Sequence, residues 1–120
     1  MHTNVAEWLG SKTSAQLFLS SITIFEIERG VHKVERRDAR RAAQLSSWLR
    51  TQVLPAFDGR ILGLDANSAL HAAALHAGRS RLDPGRLVAA IALAHGKVIV
   101  TRNVRDFDGL GVQVVDPFVR

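Results

Sequence analysis

Oxygen-bearing side chains follow two apolar segments of the chain, and their types suit a divalent cation. Glu26 comes four residues after the end of the apolar run at residues 17–22, LFLSSI. Asn103 and Asp106 follow a second apolar segment at residues 97–101, KVIVT. Mg²⁺ takes oxygen ligands, and Mg²⁺ or Mn²⁺ held by carboxylates can activate water and stabilise a phosphoryl transition state. These residue types therefore indicate phosphodiester cleavage.

The same residues also have purely structural interpretations. Glu26 stands three residues after Thr23, so the two side chains can form a capping box at a helix N-terminus. Asp83 precedes a proline and is suited to cap the helix that follows. Asn103 and Asp106 can simply shape the turn TRNVRDF. From the residue types alone, both interpretations stay open.

Apolar strands that alternate with helices predict an α/β fold around these residues. Strands are expected over residues 17–22, 60–65, 97–101 and 112–115. Helices are expected over residues 4–9, 23–31, 38–54, 65–77 and 83–95. Nearly continuous apolar strands between helices are typical of a parallel sheet covered on both faces. Ligands of such sheets bind beyond the carboxyl ends of the strands, so Glu26 and Asp106 are expected to approach each other there.

Caps and helix breakers set the expected helix boundaries. Gly30 is expected to loosen or end the helix that Thr23 caps, and Pro55 is expected to stop the long helix that starts at Asp38. Asp65 is expected to cap the helix after the second strand. The following helix should begin at the Asp-Pro pair of residues 83–84 and end at a glycine, residue 96.

Length and composition describe a small folded domain. The 120 residues are 47% hydrophobic and are expected to form a single domain over residues 1–120. The absence of cysteine excludes disulfides and thiolate metal sites. No apolar run approaches the ~20 residues that span a bilayer, and no signal-peptide pattern begins the chain. A cytoplasmic protein without a membrane partner is therefore expected.

A surplus of basic residues predicts attraction for a polyanion. The chain has 16 Lys and Arg against 11 Asp and Glu, which gives a formal charge of +5. The arginines fall into three groups: Arg36, Arg37, Arg40 and Arg41; Arg79, Arg81 and Arg86; Arg102 and Arg105. The first group is expected to form a solvated helix face rather than a binding surface. Trp8 and Trp48 lie on apolar helix faces and are expected in the core.

Three stretches of the chain, taken together with their order and spacing, form a pattern that is typical of one protein family. They read LFLSSITIFEIERGV, GRLVAAIALAHG and VIVTRNVRDFDGLGVQVVDPF, and the last is the most specific. They resemble the PIN-domain family and, within it, the VapC-type toxins of bacterial toxin–antitoxin pairs. The similarity extends over nearly the whole chain.

This resemblance implies a three-layer sandwich in which helices flank a parallel sheet of about four strands. It implies an endoribonuclease that depends on Mg²⁺ or Mn²⁺, acts on RNA, is inhibited by a cognate antitoxin and forms a homodimer. It assigns catalytic and metal-binding roles to Glu26 and Asp106 and a further metal-binding role to Asn103. Arg102 and Arg105 are then expected to contact the nucleic acid.

The sequence departs from the family pattern at two acidic positions. The family begins with an apolar strand ending in aspartate, which this chain lacks. The N-terminus is expected to begin inside the first helix; in the alternative, His2 of HTNV replaces that aspartate. A further family acid falls on Gly85, and Asp83, two positions earlier, is not assumed to replace it. Losing two of four acids is expected to weaken Mg²⁺ binding, because metal affinity depends on ligand charge.

Two functions follow from these observations. The first is a VapC-like toxin that resembles a metal-dependent endoribonuclease and is truncated or catalytically impaired. The alternative is a non-catalytic PIN-like module that binds an antitoxin or nucleic acid. The sequence leaves open whether this chain is an active enzyme.

Overall fold

A computed structural model describes residues 17–101 and 103–116, which divide into two compact units. The first unit spans Leu17–Leu62, and the described residues from Gly63 onward belong to the second. The expected helix at residues 4–9, the proposed remnant of a first strand and Trp8 all lie outside the described residues. The expectation of a single domain over residues 1–120 stays a prediction.

The first unit opens with a short strand that leads directly into a helix. Strand β1 (Leu19–Ser20) pairs in parallel with β2 (Ile61–Leu62). Helix α1 (Ser21–Glu35) begins at once, because the Ser20 side chain accepts a hydrogen bond from the Ile22 N–H. The expected capping box is therefore wrong, since its first member lies inside the helix.

The helix also passes Gly30, where an end was expected. It continues for five residues beyond this glycine, and Val31 is buried, whereas Gly30 is half-buried and His32 is exposed. A glycine inside a helix costs only about 1 kcal/mol relative to alanine, which packing of the apolar face offsets.

A second helix follows and changes its hydrogen-bonding pattern before Pro55. Helix α2 (Ala39–Trp48) starts where the Asp38 side chain accepts from the Arg41 N–H. A π-helix (Leu49–Val53) and a single turn, α3 (Leu54–Ala56), continue it.

The π-helix lies immediately before Pro55, which was expected to end the helix. Proline lacks an N–H, and its ring collides with the carbonyl four residues earlier in an α-helix. Here the Leu54 N–H instead reaches the Leu49 oxygen, five residues back. This wider turn accommodates the ring, so the chain stays helical through Ala56. The expected end at Pro55 was therefore placed slightly too early.

Helix α2 and the π-helix that continues it bury a stripe of apolar side chains. Ala42 and Leu49 are buried, each with 2% of its surface exposed. Trp48 is 48% exposed, so its predicted place in the core is wrong. The indole lies outside the apolar stripe that faces α1.

The second unit is built on two packed helices rich in alanine. Helix α4 (Ala66–Leu75) is capped by Asp65, and helix α5 (Pro84–His95) by Asp83, as predicted. Gly96 ends α5 in the left-handed conformation, with φ of 63°. Small side chains let α4 and α5 lie close together. The buried residues of these helices are Ser68, Ala72, Ala89, Ala90, Ile91 and Ala92.

Two further strands pack on this pair of helices. Strand β3 (Ile99–Val100) pairs in parallel with β4 (Val114–Val115), and Ile99 lies opposite Val114. Ile99 joins Ala89, Ala92 and Leu110 in one buried cluster. All four predicted strands are present in parallel pairs, although each paired segment is only two residues long. The predicted α/β class with parallel strands is confirmed. Among the described residues, no helix combines the length and apolar character required to cross a membrane.

Candidate functional site

The turn after β3 brings two of the predicted site residues together. Asn103 immediately precedes a 3₁₀-helix (Val104–Phe107) that contains Asp106. The Asn103 N–H donates to Thr101 Oγ1 at 3.0 Å, and the Asp106 N–H donates to the Asn103 carbonyl oxygen at 3.1 Å. Both side chains are exposed. One short turn therefore offers an amide oxygen and a carboxylate to solvent.

The first turn of α5 has a carboxylate that is already engaged. Asp83 Oδ1 accepts from the Gly85 N–H at 3.0 Å, which caps the helix. Asp83 Oδ2 lies 3.5 Å from Arg86 Nε. The structural interpretation of Asp83 as a helix cap is confirmed.

Gly85 faces the turn that contains Asp106. A Cβ atom built on Gly85 would lie 3.9 Å from Phe107 Cε1 and 3.4 Å from Asp83 Oδ1, both ordinary contacts. Phe107 belongs to the same 3₁₀-helix as Asp106. The position where the family pattern has an acid therefore lies next to the 3₁₀-helix that contains Asp106, and a Cβ atom fits there without a close contact.

Two residues outside the predicted site, His76 and Arg86, hold this first turn in place. His76 Nδ1 lies 2.8 Å from the Ala72 carbonyl oxygen, and the Asp83 N–H donates to His76 Nε2 at 2.9 Å. In this pair of hydrogen bonds Nε2 is the acceptor and Nδ1 is the donor. Arg86 Nη1 donates to the Leu75 carbonyl oxygen at 2.6 Å, at the end of α4. No local sequence signal predicts these contacts, since they depend on how α4 packs against α5.

The remaining predicted site residues have different positions. Glu26 lies in α1 within the unit Leu17–Leu62 and is exposed, so its approach to Asp106 stays a prediction. Arg105 lies in the 3₁₀-helix and is exposed. Arg102 falls outside the described residues.

The start of α4 carries the strongest electrostatic perturbation in the second unit. The Ser68 N–H donates to Asp65 Oδ1 at 2.8 Å and holds the pKa of the Asp65 carboxyl below its usual range. His95 Nε2, 3.4 Å from Asp65 Oδ2, acts in the same direction. Asp65 is thus kept as an anion that caps the helix.

The acidic residues do not form a complete metal site in the part of the chain that the structure describes. No group of three or more His, Cys, Asp or Glu side chains is placed there to hold an ion. The Asn103–Asp106 turn supplies one carboxylate and one amide, and Gly85 supplies none. These donors alone do not fit a tightly held divalent cation, because Mg²⁺ and Mn²⁺ sites depend on several charged oxygen ligands.

Comparison with known proteins identifies the class to which this arrangement belongs. The PIN domain model matches residues 1–112, and the chain belongs to the PIN domain family.

Individual relatives support the same assignment. The plasmid stability protein StbB of Pseudomonas syringae is 30% identical over 122 residues, covering 98% of this chain and 86% of the relative. A VapC ribonuclease of Sinorhizobium fredii is 29% identical, covering 95% of this chain and 84% of the relative. The crystal structure of FitAcB from Neisseria gonorrhoeae is 28% identical, covers 98% of this chain and 86% of that chain, and superposes with a TM-score of 0.83. The predicted PIN-like fold is confirmed.

Proposed function

We propose that this chain is a VapC-like toxin that acts on RNA as a metal-dependent endoribonuclease and that its catalysis is impaired by the glycine at position 85. The observation that carries this proposal is the exposed turn with Asn103 and Asp106, which packs against Gly85 through Phe107. The relative named VapC ribonuclease supports the choice of reaction.

Each site residue of this chain has a proposed role in catalysis, in binding the ion or in binding the RNA. Glu26 and Asp106 are the proposed catalytic acids, and both would hold the ion together with Asn103. Mg²⁺ or Mn²⁺, when bound, supplies an activated water and stabilises negative charge on the phosphate. Arg102 and Arg105 are proposed to bind the RNA backbone next to the scissile bond.

A second candidate is a non-catalytic PIN-like module that binds an antitoxin or nucleic acid. Two observations favour it: Gly85 offers no carboxylate, and the described residues contain no group of three possible metal ligands. The two candidates differ in one measurable property, the metal-dependent cleavage of RNA.

Partners and location belong to the same proposal. We expect a cognate antitoxin and a homodimer in the cytoplasm. The relative named Toxin FitB and the FitAcB structure support the antitoxin partner. The homodimer and the cytoplasmic location follow only from the resemblance and from the composition.

An RNA cleavage assay tests the proposal. The parent chain is expected to cut single-stranded RNA slowly with Mn²⁺ and not at all with EDTA. Glu26→Gln and Asp106→Asn should each lower the rate by about 100-fold or more, as expected for groups acting in the chemical step. The matched controls are Glu35→Gln, on the same helix as Glu26, and Asp108→Asn, two residues beyond Asp106. Both controls should cleave like the parent.

Two other results would change the proposed catalytic residues or the proposed function. Equal rates in the control and site variants would remove Glu26 and Asp106 from the mechanism. No cleavage by the parent with either ion, together with retained RNA or antitoxin binding, would favour the non-catalytic module.

A further inference from the structure

The outward surface of α2 and the π-helix combines an exposed indole with basic and polar side chains. We call it the Trp48 face. Its members line one shallow concavity and are all exposed: Arg40, Gln44, Ser47, Trp48, Thr51 and Gln52. Every residue of this surface lies within the first compact unit.

Trp48 is exposed on a helix that buries smaller side chains. The helix presents Ala42 and Leu49 to the core, each 2% exposed, while the indole remains 48% exposed. Burial of a large aromatic side chain is favourable, so an indole left in a polar surface is available to a ligand. Apart from the indole, Ala43 is the only apolar side chain that lines this concavity.

Positive charge is concentrated at the start of the same helix. Residues 29–41 contain six Lys or Arg and two acids, so most of the net charge of +5 arises there. Asp38, one of the two acids, caps α2 through the Arg41 N–H. Within residues 17–101 and 103–116, no carboxylate forms an ion pair with four exposed arginines: Arg36, Arg37, Arg40 and Arg41.

Arg50, in the π-helix that continues α2, differs from these four arginines because it is paired with an acid. Arg50 forms an ion pair with Glu28 of α1, and its Nη1 lies 3.3 Å from Glu28 Oε1. This arginine therefore ties α2 to α1. Among the described residues, the arginines at the N-terminal end of α2 have no such ion pair, and they can neutralise an external anion.

We propose that the Trp48 face binds single-stranded RNA, with Arg40 and Arg41 on phosphates and Trp48 stacked on an unpaired base. Arg40 and Trp48 are eight residues apart, which is about 12 Å along a helix. Single-stranded RNA is commonly bound by basic grooves with aromatic stacking platforms. Gln44 and Gln52 can then hydrogen-bond to base edges. The inference rests on the proposed function in taking RNA as the ligand, but it uses none of the proposed catalytic residues.

An acidic protein segment fits this surface less well than RNA does. Cores of protein–protein interfaces are depleted of charge and enriched in apolar side chains. The Trp48 face offers arginine, two glutamines and two hydroxyls around a single indole. Base stacking uses the indole, phosphate neutralisation uses the arginine, and the glutamines can hydrogen-bond to base edges.

Fluorescence anisotropy with a short, labelled, 2′-O-methyl RNA of mixed sequence tests the proposal. The modified RNA cannot be cut, and EDTA removes divalent ions, so binding is measured without the cleavage reaction. Binding by the parent should weaken as salt rises from about 50 to about 200 mM, because phosphate contacts release counterions. In the double variant Arg40→Gln/Arg41→Gln, the slope of log affinity against log salt should fall by about 1.4. The matched control Arg79→Gln/Arg81→Gln removes the same charge from exposed positions in the other unit and should leave the slope nearly unchanged.

A second variant tests whether Trp48 stacks on a base of the RNA. Trp48→Leu keeps an apolar side chain and removes the ring system, so RNA affinity should fall about fivefold to a hundredfold with the salt slope unchanged. In a Trp8→Phe background, Trp48 is the only tryptophan, and its fluorescence should be quenched on addition of the RNA.

Three results would overturn the inference. If the Arg79→Gln/Arg81→Gln control changed the slope by the same amount, the salt dependence would come from the net charge of the protein and not from Arg40 and Arg41 in particular. Unchanged Trp48 fluorescence at saturating RNA would exclude stacking. Loss of self-association or of antitoxin binding by Trp48→Leu, with unchanged RNA affinity, would assign the face to a protein partner. Retained RNA binding by a parent that cuts no RNA would contradict the proposed function alone.

Discussion

Helices α1 and α5 begin in the same way but differ in the side chains that they offer to a metal ion. Ser20 Oγ accepts from the Ile22 N–H at 3.0 Å, and Asp83 Oδ1 accepts from the Gly85 N–H at 3.0 Å. Each cap satisfies the backbone N–H two residues later, which would otherwise lack an intrahelical partner. Further along, α1 exposes Glu26, whereas α5 has a glycine at position 85, where the family pattern has an acid.

This difference separates the requirement for folding from the requirement for catalysis. A helix start needs a cap, and both helices have one. A metal ligand is an additional side chain that the backbone does not need. The family acid can therefore be replaced by glycine at position 85 while α5 keeps its cap, its buried alanines and its contact with Phe107.

The largest expected effect is the restoration of a carboxylate at the deficient turn. Gly85→Asp should raise Mn²⁺ affinity by about tenfold or more, because affinity depends on ligand charge. The added carboxylate would lie close to Asp83 and would be repelled by it. Arg86, which pairs with Asp83, partly offsets this repulsion. Calorimetric titration with Mn²⁺ measures the effect on the parent and the variant.

Further variants show whether that gain comes from a shared site. Gly85→Ala fills the same space without charge and should bind Mn²⁺ like the parent. Gly85→Asp combined with Glu26→Gln should lose much of the gain if both units contribute ligands. Equal, negligible binding by all the variants would show that the glycine at position 85 is not what limits metal binding.

A smaller effect is expected when either cap is removed. Ser20→Ala and Asp83→Ala should each lower the free energy of unfolding by about 1 kcal/mol, because each leaves a helix N–H unsatisfied. Urea denaturation measures both losses, with Ser47→Ala on the outward surface of α2 as a control near zero. A much larger loss for Asp83→Ala would show that its contacts with His76 and Arg86 matter more than the cap itself.

The smallest effect concerns the pH dependence of a third helix start, at Asp65. The pKa of the folded-state carboxyl is lowered, first by the hydrogen bond from the Ser68 N–H. Its contribution to stability is therefore present above the pKa of the unfolded state and is lost as pH falls through the folded-state pKa. Asp65→Asn keeps an oxygen acceptor at the cap but does not titrate there. Thermal unfolding between neutral and acidic pH should show a smaller loss of stability in the variant, and parallel pH profiles would contradict this.

The sequence predicted the site in part. The Asn103–Asp106 turn and the glycine at position 85 were recognised from their motifs, and the structure brings these two segments into contact through Phe107. The contacts of His76 and Arg86 with the α4–α5 connection could not be predicted. Each joins groups that meet only after the two helices have packed, so no local pattern records them.

Local sequence by itself determined most helix starts and ends. Asp65, Asp83 and Gly96 act at the predicted boundaries, because a cap or a left-handed glycine acts within one turn of its own position. The start of α1 shows the limit of this reasoning. Ser20 and Thr23 were both suitable caps, and pairing of Ser20 with Leu62 in the β1–β2 ladder favours the earlier start by keeping Ser20 extended.

Tertiary structure alone decided which side chains of the helices face solvent. Trp48 lies close to the apolar periodicity of α2, yet the face that packs is the one with Ala42 and Leu49. A hydrophobic stripe about 100° wide does not determine whether the residues at its margin are buried or exposed. Contact with α1 determines this. The same applies to Gly85, whose direction toward Phe107 depends on the packing of α5 against a turn some twenty residues further along the chain. Sequence patterns specify elements and their ends, whereas contacts between distant segments are fixed only when those segments pack.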